Sequence, residues 1–292
     1  MARMTPEARS ETLIEALPYI QKYRGHTFVI KYGGSAMEDE QIVDKFLRDV
    51  VFLEAVGINP VLVHGGGKAI TAKMKVAGLP AHFIDGLRAT NETAIHIVEE
   101  ALDRDINPSI VQKIQDFGGR AKGFSGKDVF IARKLERQAV IDGQTINIGF
   151  VGEAEGVNAD AVAEAVHAEI VPVISPIGST REGIVLNINA DIAAASLAAE
   201  LKASKLIYVT DVPGIMRDPA RSDSLISSVT IAQIDAFIDR KVIAGGMIPK
   251  VHSATEALKK GVGKIHMIGG HIQHCLLLEI FTDAGIGTEI VH

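Results

Sequence analysis

Tryptophan is absent from this chain and only one cysteine, Cys275, is present. A lone thiol cannot build an internal disulfide framework, which fits a reducing compartment. No apolar run reaches the roughly 18 residues that a membrane-spanning helix needs. The first residues, MARMTPEARSETLIEALPYI, carry acids and lack an apolar core. They do not read as a secretory signal, and the expected location is the cytoplasm. Positive charge is not in excess: 30 Lys and Arg face 36 Asp and Glu, a net charge of −6. That balance argues against nucleic acid or an anionic membrane as partner, and leaves room for local positive pockets. What is present is 47% hydrophobic and 23% charged residues over 292 positions, the balance of a soluble globular chain. The length suits about two packed units.

Three phosphate-binding signatures are also missing. A P-loop requires G-x-x-x-x-G-K-[ST], but Gly67-Lys68 is followed by Ala69 and the leading position is Leu62. A dinucleotide G-x-G-x-x-G fails because Ile70 follows Gly65 and Gly67. The protein-kinase set of H-R-D followed by D-F-G does not occur, since H-R-D is absent.

Short aliphatic runs nevertheless alternate with helical patterns. Residues 27–32, 60–64, 170–174, 205–210 and 264–268 are near-continuous Val, Ile and Leu, as expected of strands covered on both faces. Helical periodicity covers 39–56, 68–77, 91–117 with a break near Pro108, 158–168, 191–200, 230–239 and 249–260. This alternation predicts an α/β fold with a mainly parallel open sheet sandwiched by helices. Residues 129–151 differ: they read as an antiparallel hairpin around an Asp142-Gly143 turn. A waist is expected near 190–205. Residues 1–24 form an extra helix, with Leu13, Leu17 and Ile20 at helical spacing. It either packs on its own domain or serves as an oligomerisation arm.

Glycine pairs and triplets close several strands, and ligands of open α/β sheets sit beyond the carboxyl ends of strands. In VLVHGGGKAI, Gly65, Gly66 and Gly67 bare successive N–H groups where a helix begins, a combination that favours an anion. TFVIKYGG places Lys31 beside Gly33 and Gly34, an ammonium next to a naked backbone. In AGGMIPKV, Pro249 starts a helix and puts Lys250 in its first turn, where a cation opposes the helix dipole unless an anion sits there. In LNINADIAA, Asn189 reads as an N-cap. GVNADAVAEAV repeats the N-A-D pattern without the extra asparagine, so function falls on Asn187 and Asp191, while Asn158 and Asp160 are expected to cap.

KYGGSAM, LVHGGGKAI, DGLRAT at 85–90, LNINADIAA, YVTDVPGIM at 208–216 and GGMIPKV, in this order, resemble the amino-acid-kinase family from about residue 26 onward. The resemblance implies that family's fold, and ATP-dependent phosphorylation of the side-chain carboxylate of N-acetyl-L-glutamate in arginine biosynthesis. It implies a lobe over 25–200 that binds the acyl substrate and dimerises, and a lobe over 201–292 for ATP and regulation. Lys31 and Lys250 would stabilise the transferring phosphoryl group and Asp191 would hold both. Gly66 and Gly67 would offer N–H groups, Arg88 would clamp the substrate's α-carboxylate, and Asn187 would bind its acetamido end. Gly33, Gly34, Thr210, Asp211, Val212, Gly214, Ile215, Gly245 and Gly246 would hold the nucleotide. Mg²⁺ would arrive on ATP, without a protein ligand. A glutamate γ-carboxylate, with a pKa near 4.3, is already a nucleophile at neutral pH, so no general base is required and His64 is given no catalytic role.

The N-terminal helix, H-x₄-E and G-x-G-T resemble the arginine-sensitive branch of the family. There the extra helix joins dimers into a hexamer, and arginine as inhibitor would lie near His274, Glu279 and Gly287. Some members bind a PII-type protein, a point the residues leave open. Alternative readings are a kinase of this fold for aspartate, glutamate, carbamate or a nucleoside monophosphate, and a nucleotide or arginine sensor without catalysis. Retention of both lysines disfavours the sensor, and the missing fingerprint disfavours a dinucleotide oxidoreductase.

Overall fold

The computed structural model describes residues 5–292 except Asp142, and the side chains of all of these but Ser35, Ile141 and Ser222. In chain order the strands are β1 (Thr27–Tyr32), β2 (Asn59–His64), β3 (Phe83–Ile84), β4 (Leu87–Arg88), β5 (Ala121–Phe124), β6 (Phe130–Lys134), β7 (Gln138–Ile141), β8 (Gln144–Asn147), β9 (Val151–Val157), β10 (Val171–Ile174), β11 (Ile177–Ser179), β12 (Val185–Ile188), β13 (Lys205–Thr210), β14 (Ser228–Thr230), β15 (Lys264–Gly269) and β16 (Thr288–Val291). The helices are α1 (Pro6–Tyr23), α2 (Glu40–Ala55), α3 (Gly67–Val76), α4 (Glu92–Glu99), α5 (Asn107–Asp116), α6 (Gly126–Val129), α7 (Asp160–His167), α8 (Ala190–Glu200), α9 (Ile231–Asp239), α10 (Met247–Lys259) and α11 (Cys275–Ile280).

The aliphatic runs become the middle of one eight-stranded sheet, ordered β14-β16-β15-β13-β1-β2-β10-β5. Its pairings are parallel except β15 with β16. Every residue of β13 is buried, and β1 and β2 are buried beyond their first residue. This two-sided burial is why these runs do not alternate. One face packs Val29, Val61, Leu206 and Tyr208 against the alanines of α8 and the inner side of α10. The other packs Phe28, Ile30, Leu62 and Ile207 against α2 and α11. Because β1 pairs directly with β13, the sheet runs unbroken across the expected waist.

Two local features differ from the sequence reading. The long helical pattern is interrupted by a π-helical stretch, Glu100–Ile106, between α4 and α5. Pro108 has no N–H for the Arg104 carbonyl, so the regular ladder cannot pass through this point. Beside the sheet, β6, β9, β11 and β12 close a small barrel that the sequence reading missed. Strands such as VGEAEGV offer no aliphatic run to announce them. The β7–β8 hairpin forms with Ile141 opposite Gln144 and Gly143 at φ +77°, while Asp142 lies outside the described residues.

The helix α1 is capped by the Thr5 hydroxyl and has no buried residue. Its C-terminal end is anchored: the Tyr23 ring meets Phe28, and Tyr19 meets Phe281 and Asp283. Leu13 and Ile14 are about two-thirds exposed, at 68% and 66%.

Leu62 is fully buried in the centre of the sheet. Leu62→Ala is expected to lower unfolding free energy by about 2–5 kcal/mol in urea denaturation, the usual cost of a buried cavity; a loss below about 1 kcal/mol would contradict the packing described here.

Candidate active site

All strands of the parallel centre point the same way, so β1, β2, β10 and β13 deliver their carboxyl ends to one edge. A cleft of about 550 Å³ opens there, lined among others by Lys31, Gly65, Gly66, Gly67, Arg88, Asn187, Asp191 and Asp211.

Asp191, in the first turn of α8, sits between the two lysines. Lys250 Nζ donates to its Oδ2 at 2.5 Å, and Lys31 Nζ lies 3.3 Å from its Oδ1. The Lys31 approach lacks hydrogen-bond geometry, and among the described residues Oδ1 has no hydrogen-bond donor. Burial alone would raise the Asp191 carboxyl, but the ammoniums of Lys31 and Lys250 outweigh it and hold the pKa below the usual range. Burial likewise pulls Lys250 down, opposed by Asp191. The cation that opposes the α10 dipole is thus compensated by an internal carboxylate, where the sequence alone suggested a bound anion. Tyr208, in register beside Lys31, places its hydroxyl 3.0 Å from Ser253 Oγ on α10 and 3.5 Å from the Asp191 carbonyl. Sequence reasoning missed this tyrosine because it sits inside an aliphatic run.

The glycine loops face each other. A Cβ on Gly33 would lie 3.0 Å from Lys31 Nζ, and one on Gly65 would lie 3.5 Å from the Gly33 Cα. Gly34, at φ +70°, passes so close to Asp211 that a Cβ would fall 2.3 Å from its Oδ1. Gly66 would strike Leu102 and Ile106 of the π-helical stretch at 2.6 and 2.7 Å. It is also the N-cap of α3, and no side chain caps that helix. The first N–H groups of α3 are left uncovered by side chains at the mouth of the cleft.

Arg88 is buried on the other wall. Its Nη2 donates to the Gly67 carbonyl and to Thr71 Oγ1, both at 2.7 Å, and its guanidinium lies 4.8 Å from the Phe83 ring centre. Burial lowers its pKa, yet a guanidinium remains charged. Among the described residues its hydrogen-bond partners are a carbonyl, a hydroxyl and a thioether, not a carboxylate. Asn187 reaches the same wall, donating to Thr90 Oγ1 at 3.3 Å. Thr90, Thr71 and Phe83 were not singled out from the sequence. Asn189 caps α8 as expected. Asn158 does not cap α7: Ala159 is the N-cap and no side chain serves it. The two N-A-D copies differ in this respect too.

The remaining candidates lie along the β13 edge. Thr210 Oγ1 donates to the Val212 carbonyl at 2.6 Å and shapes the turn that presents Asp211 to the cleft. Gly214 packs on Thr288, whose Oγ1 accepts from Ile215 N at 2.8 Å, and the Ile215 side chain is buried in the core. Gly245 and Gly246 have open space around them at the start of α10.

The three residues expected around arginine are divided. Glu279 and Gly287 meet: Glu279 Oε2 accepts from Ile286 N at 2.8 Å and Gly287 N at 3.1 Å. The histidine on Glu279 is His266, Nδ1 to Oε1 at 2.5 Å, with Lys205 Nζ 2.8 Å from its Nε2. Burial draws Lys205 down to about 8 against the pull of Glu279. His274 instead pairs with Asp49 of α2 at 2.6 Å. His274 lies just ahead of α11 in a left-handed backbone conformation, φ +58°, and its ring turns to α2 while Glu279, inside the helix, faces His266.

Residues 26–269 match the model of the amino acid kinase family. An acetylglutamate kinase of Akkermansia muciniphila is 49% identical over 286 residues, covering 97% of this chain and 95% of that protein. One of Aquifex aeolicus is 44% identical over 292 residues, covering 97% of each. Among solved structures, N-acetylglutamate synthase from Neisseria gonorrhoeae, complexed with coenzyme A and N-acetyl-glutamate, superposes with a TM-score of 0.81 at 26% identity. The match covers 97% of this chain and 63% of that one. Carbamate kinase from Giardia lamblia bound to AMP-PNP shares the fold at a TM-score of 0.66 and 16% identity, over 91% of this chain and 98% of that one.

Asp191→Asn leaves two buried ammoniums facing each other without a counter-charge. Losing one partner of a buried ion pair costs about 3–5 kcal/mol. Lys250, already drawn down by burial, then falls further below its unfolded pKa, so the unfolded state binds more protons and stability rises with pH up to the unfolded lysine range. Urea denaturation is expected to show the deficit at pH 7 and its partial recovery at pH 9.5; equal stability to the parent at pH 7 would sink this account of the carboxylate.

Proposed function

The chain belongs to the amino acid kinase family, and we propose that within it the protein transfers the γ-phosphoryl group of ATP to the γ-carboxylate of N-acetyl-L-glutamate. One observation carries this reading: Asp191 holds Lys31 and Lys250 together at the edge where the glycine loops end. A carboxylate oxygen attacks Pγ, the bond from Pγ to the β,γ-bridging oxygen breaks, and ADP leaves with that oxygen. The product is an acyl phosphate, and no proton need be removed from the nucleophile. Charge on the equatorial phosphoryl oxygens is met by the two ammoniums and by N–H groups of Gly66 and Gly67. Asp191 positions the lysines and limits their mutual repulsion.

Arg88 takes the acceptor's α-carboxylate. Its planar fork suits that group, and the absence of an acidic partner among its described contacts leaves its charge uncommitted. Asn187, beside Thr90, takes the acetamido group. The nucleotide lies along Gly33, Gly34 and the turn Thr210-Asp211-Val212-Pro213-Gly214-Ile215, with Gly245 and Gly246 beneath it. Mg²⁺ arrives as the ATP complex. The lobes are residues 25–200 for the acyl substrate and dimer contact and 201–292 for ATP and regulation. The enzyme works in the cytoplasm.

Arginine is the proposed feedback inhibitor, at the corner where Glu279 meets Gly287, with His274 just ahead of the helix that carries Glu279. Supporting this, Lys205 of that corner also lies 5.1 Å from the Tyr23 ring centre, which ties the corner to α1. The exposed Leu13 and Ile14 of α1 suit an arm that joins dimers into a hexamer. Regulation by a PII-type protein is a further property to be assayed on the same preparation.

ADP release is expected with N-acetyl-L-glutamate, and not with glutamate, aspartate or carbamate; a preference for one of these reassigns the substrate. Lys31→Ala should lower kcat by about 10²–10³, comparable to losing one preorganised donor, and unchanged turnover of the folded variant removes Lys31 from the mechanism. Millimolar L-arginine should depress activity or shift the substrate curve; no effect of either kind rejects the regulatory site.

A further inference from the structure

We infer that His64 is a positioning residue: with Asn107 it fixes the peptide plane that aims the Gly66 N–H into the cleft. The inference rests on the kinase reading above and adds a device behind the glycine loop.

His64 ends β2 and is fully buried, and Asn107 opens α5 just after the π-helical stretch. Asn107 Nδ2 lies 2.9 Å from the Val173 carbonyl and 3.2 Å from His64 Nε2. A carbonyl can only accept, so the atom facing it is the amide nitrogen, and that orientation of the side chain is fixed. The same nitrogen gives its second hydrogen to His64 Nε2, which must then be the unprotonated ring nitrogen. The proton is on Nδ1, which lies 2.9 Å from the Gly65 carbonyl, again a group that can only accept. Both ends of the imidazole demand the same neutral tautomer. Burial agrees, drawing the ring down to about 4, with Asp103 of the π-helical stretch the nearby charge that opposes it.

In a trans peptide the C=O and the following N–H point in opposite directions. Holding the Gly65 carbonyl inward on His64 therefore turns the Gly66 N–H outward, toward the cleft that Gly65, Gly66 and Gly67 line. Two further contacts hold the loop on either side of that plane. Gly65 N donates to the Tyr32 carbonyl at 2.6 Å. Leu102 and Ile106 press on the space beside the Gly66 Cα. The π-helical stretch thus serves the loop twice, placing these two side chains and delivering Asn107 to the histidine.

The test has an arm that needs no variant and no turnover. In ¹⁵N-histidine NMR of the parent protein, the His64 ring is expected as the Nδ1–H tautomer throughout pH 5.5–8. The Nε2–H tautomer or an imidazolium at pH 7 overturns the inference. The kinetic arm uses His64→Phe, which keeps a ring and removes its donor. Its kcat should fall about 10- to 100-fold, up to the cost of losing one such donor, with both KM values within about threefold of the parent and the protein still folded. Asn107→Asp supplies a readout that a packing role would not move. A carboxylate at Nε2 recruits the ring proton there, so only the doubly protonated imidazole can still donate from Nδ1. Activity of that variant, relative to the parent, should be greatest at low pH and decline as pH rises through the raised imidazole pKa. Parent-like kcat in folded His64→Phe, or a uniform pH-independent loss in Asn107→Asp, overturns the role. A parent protein that releases no ADP with N-acetyl-L-glutamate overturns the function instead, and the NMR arm still judges the tautomer.

Discussion

The site depends on one electrostatic arrangement: a single buried carboxylate between two ammoniums. Two like charges cannot be held close together in a low-dielectric pocket unless something of opposite sign lies between them. Asp191 meets that need with one oxygen for each lysine, Lys250 in a short hydrogen bond and Lys31 in a looser ion pair. The asymmetry matters, because a lysine whose protons are not committed to the carboxylate can turn them to an incoming phosphoryl oxygen. A net charge of +1 remains on the trio, a resting field that attracts anions.

The fold brings that trio together at little local cost. Lys31 is the fifth residue of a central strand, Asp191 lies in the first turn of a helix covering one sheet face, and Lys250 lies in the first turn of the helix packed beside it. Parallel strands bring helix N-termini and strand C-termini to the same edge, so backbone donors and positive dipole ends gather where the lysines are. The wall opposite is built from separate, shorter elements: the β3–β4 ribbon with Arg88, and the small barrel with Asn187. In the proposed function, phosphoryl chemistry sits on the sheet edge and acceptor recognition on these separate elements.

Much of this was legible in the residues. Unalternating aliphatic runs announced buried strands, and strand-end glycines marked the edge where ligands gather, because a missing Cβ has a specific spatial meaning. The comparison of the two N-A-D copies held only in part: Asn189 caps its helix, but Asn158, expected to cap, does not. Other contacts were not legible. The sequence reading grouped His274 with Glu279 and missed His266; sheet register sets His266 opposite Glu289 on the next strand, and its ring pairs with Glu279 of α11. Tyr208 looked like strand filler, and Asn107 like a helix residue beside a proline.

What the sequence determined by itself was local: which runs form strands, where helices begin, and where the backbone must be bare. These follow from periodicity, capping and sterics, all short-range. Tertiary structure alone decided which charges meet, which histidine joins which carboxylate and which way a peptide plane faces. Those outcomes depend on strand order and on the packing of segments more than two hundred residues apart, and hydrogen-bond directions are fixed only when both partners are in place.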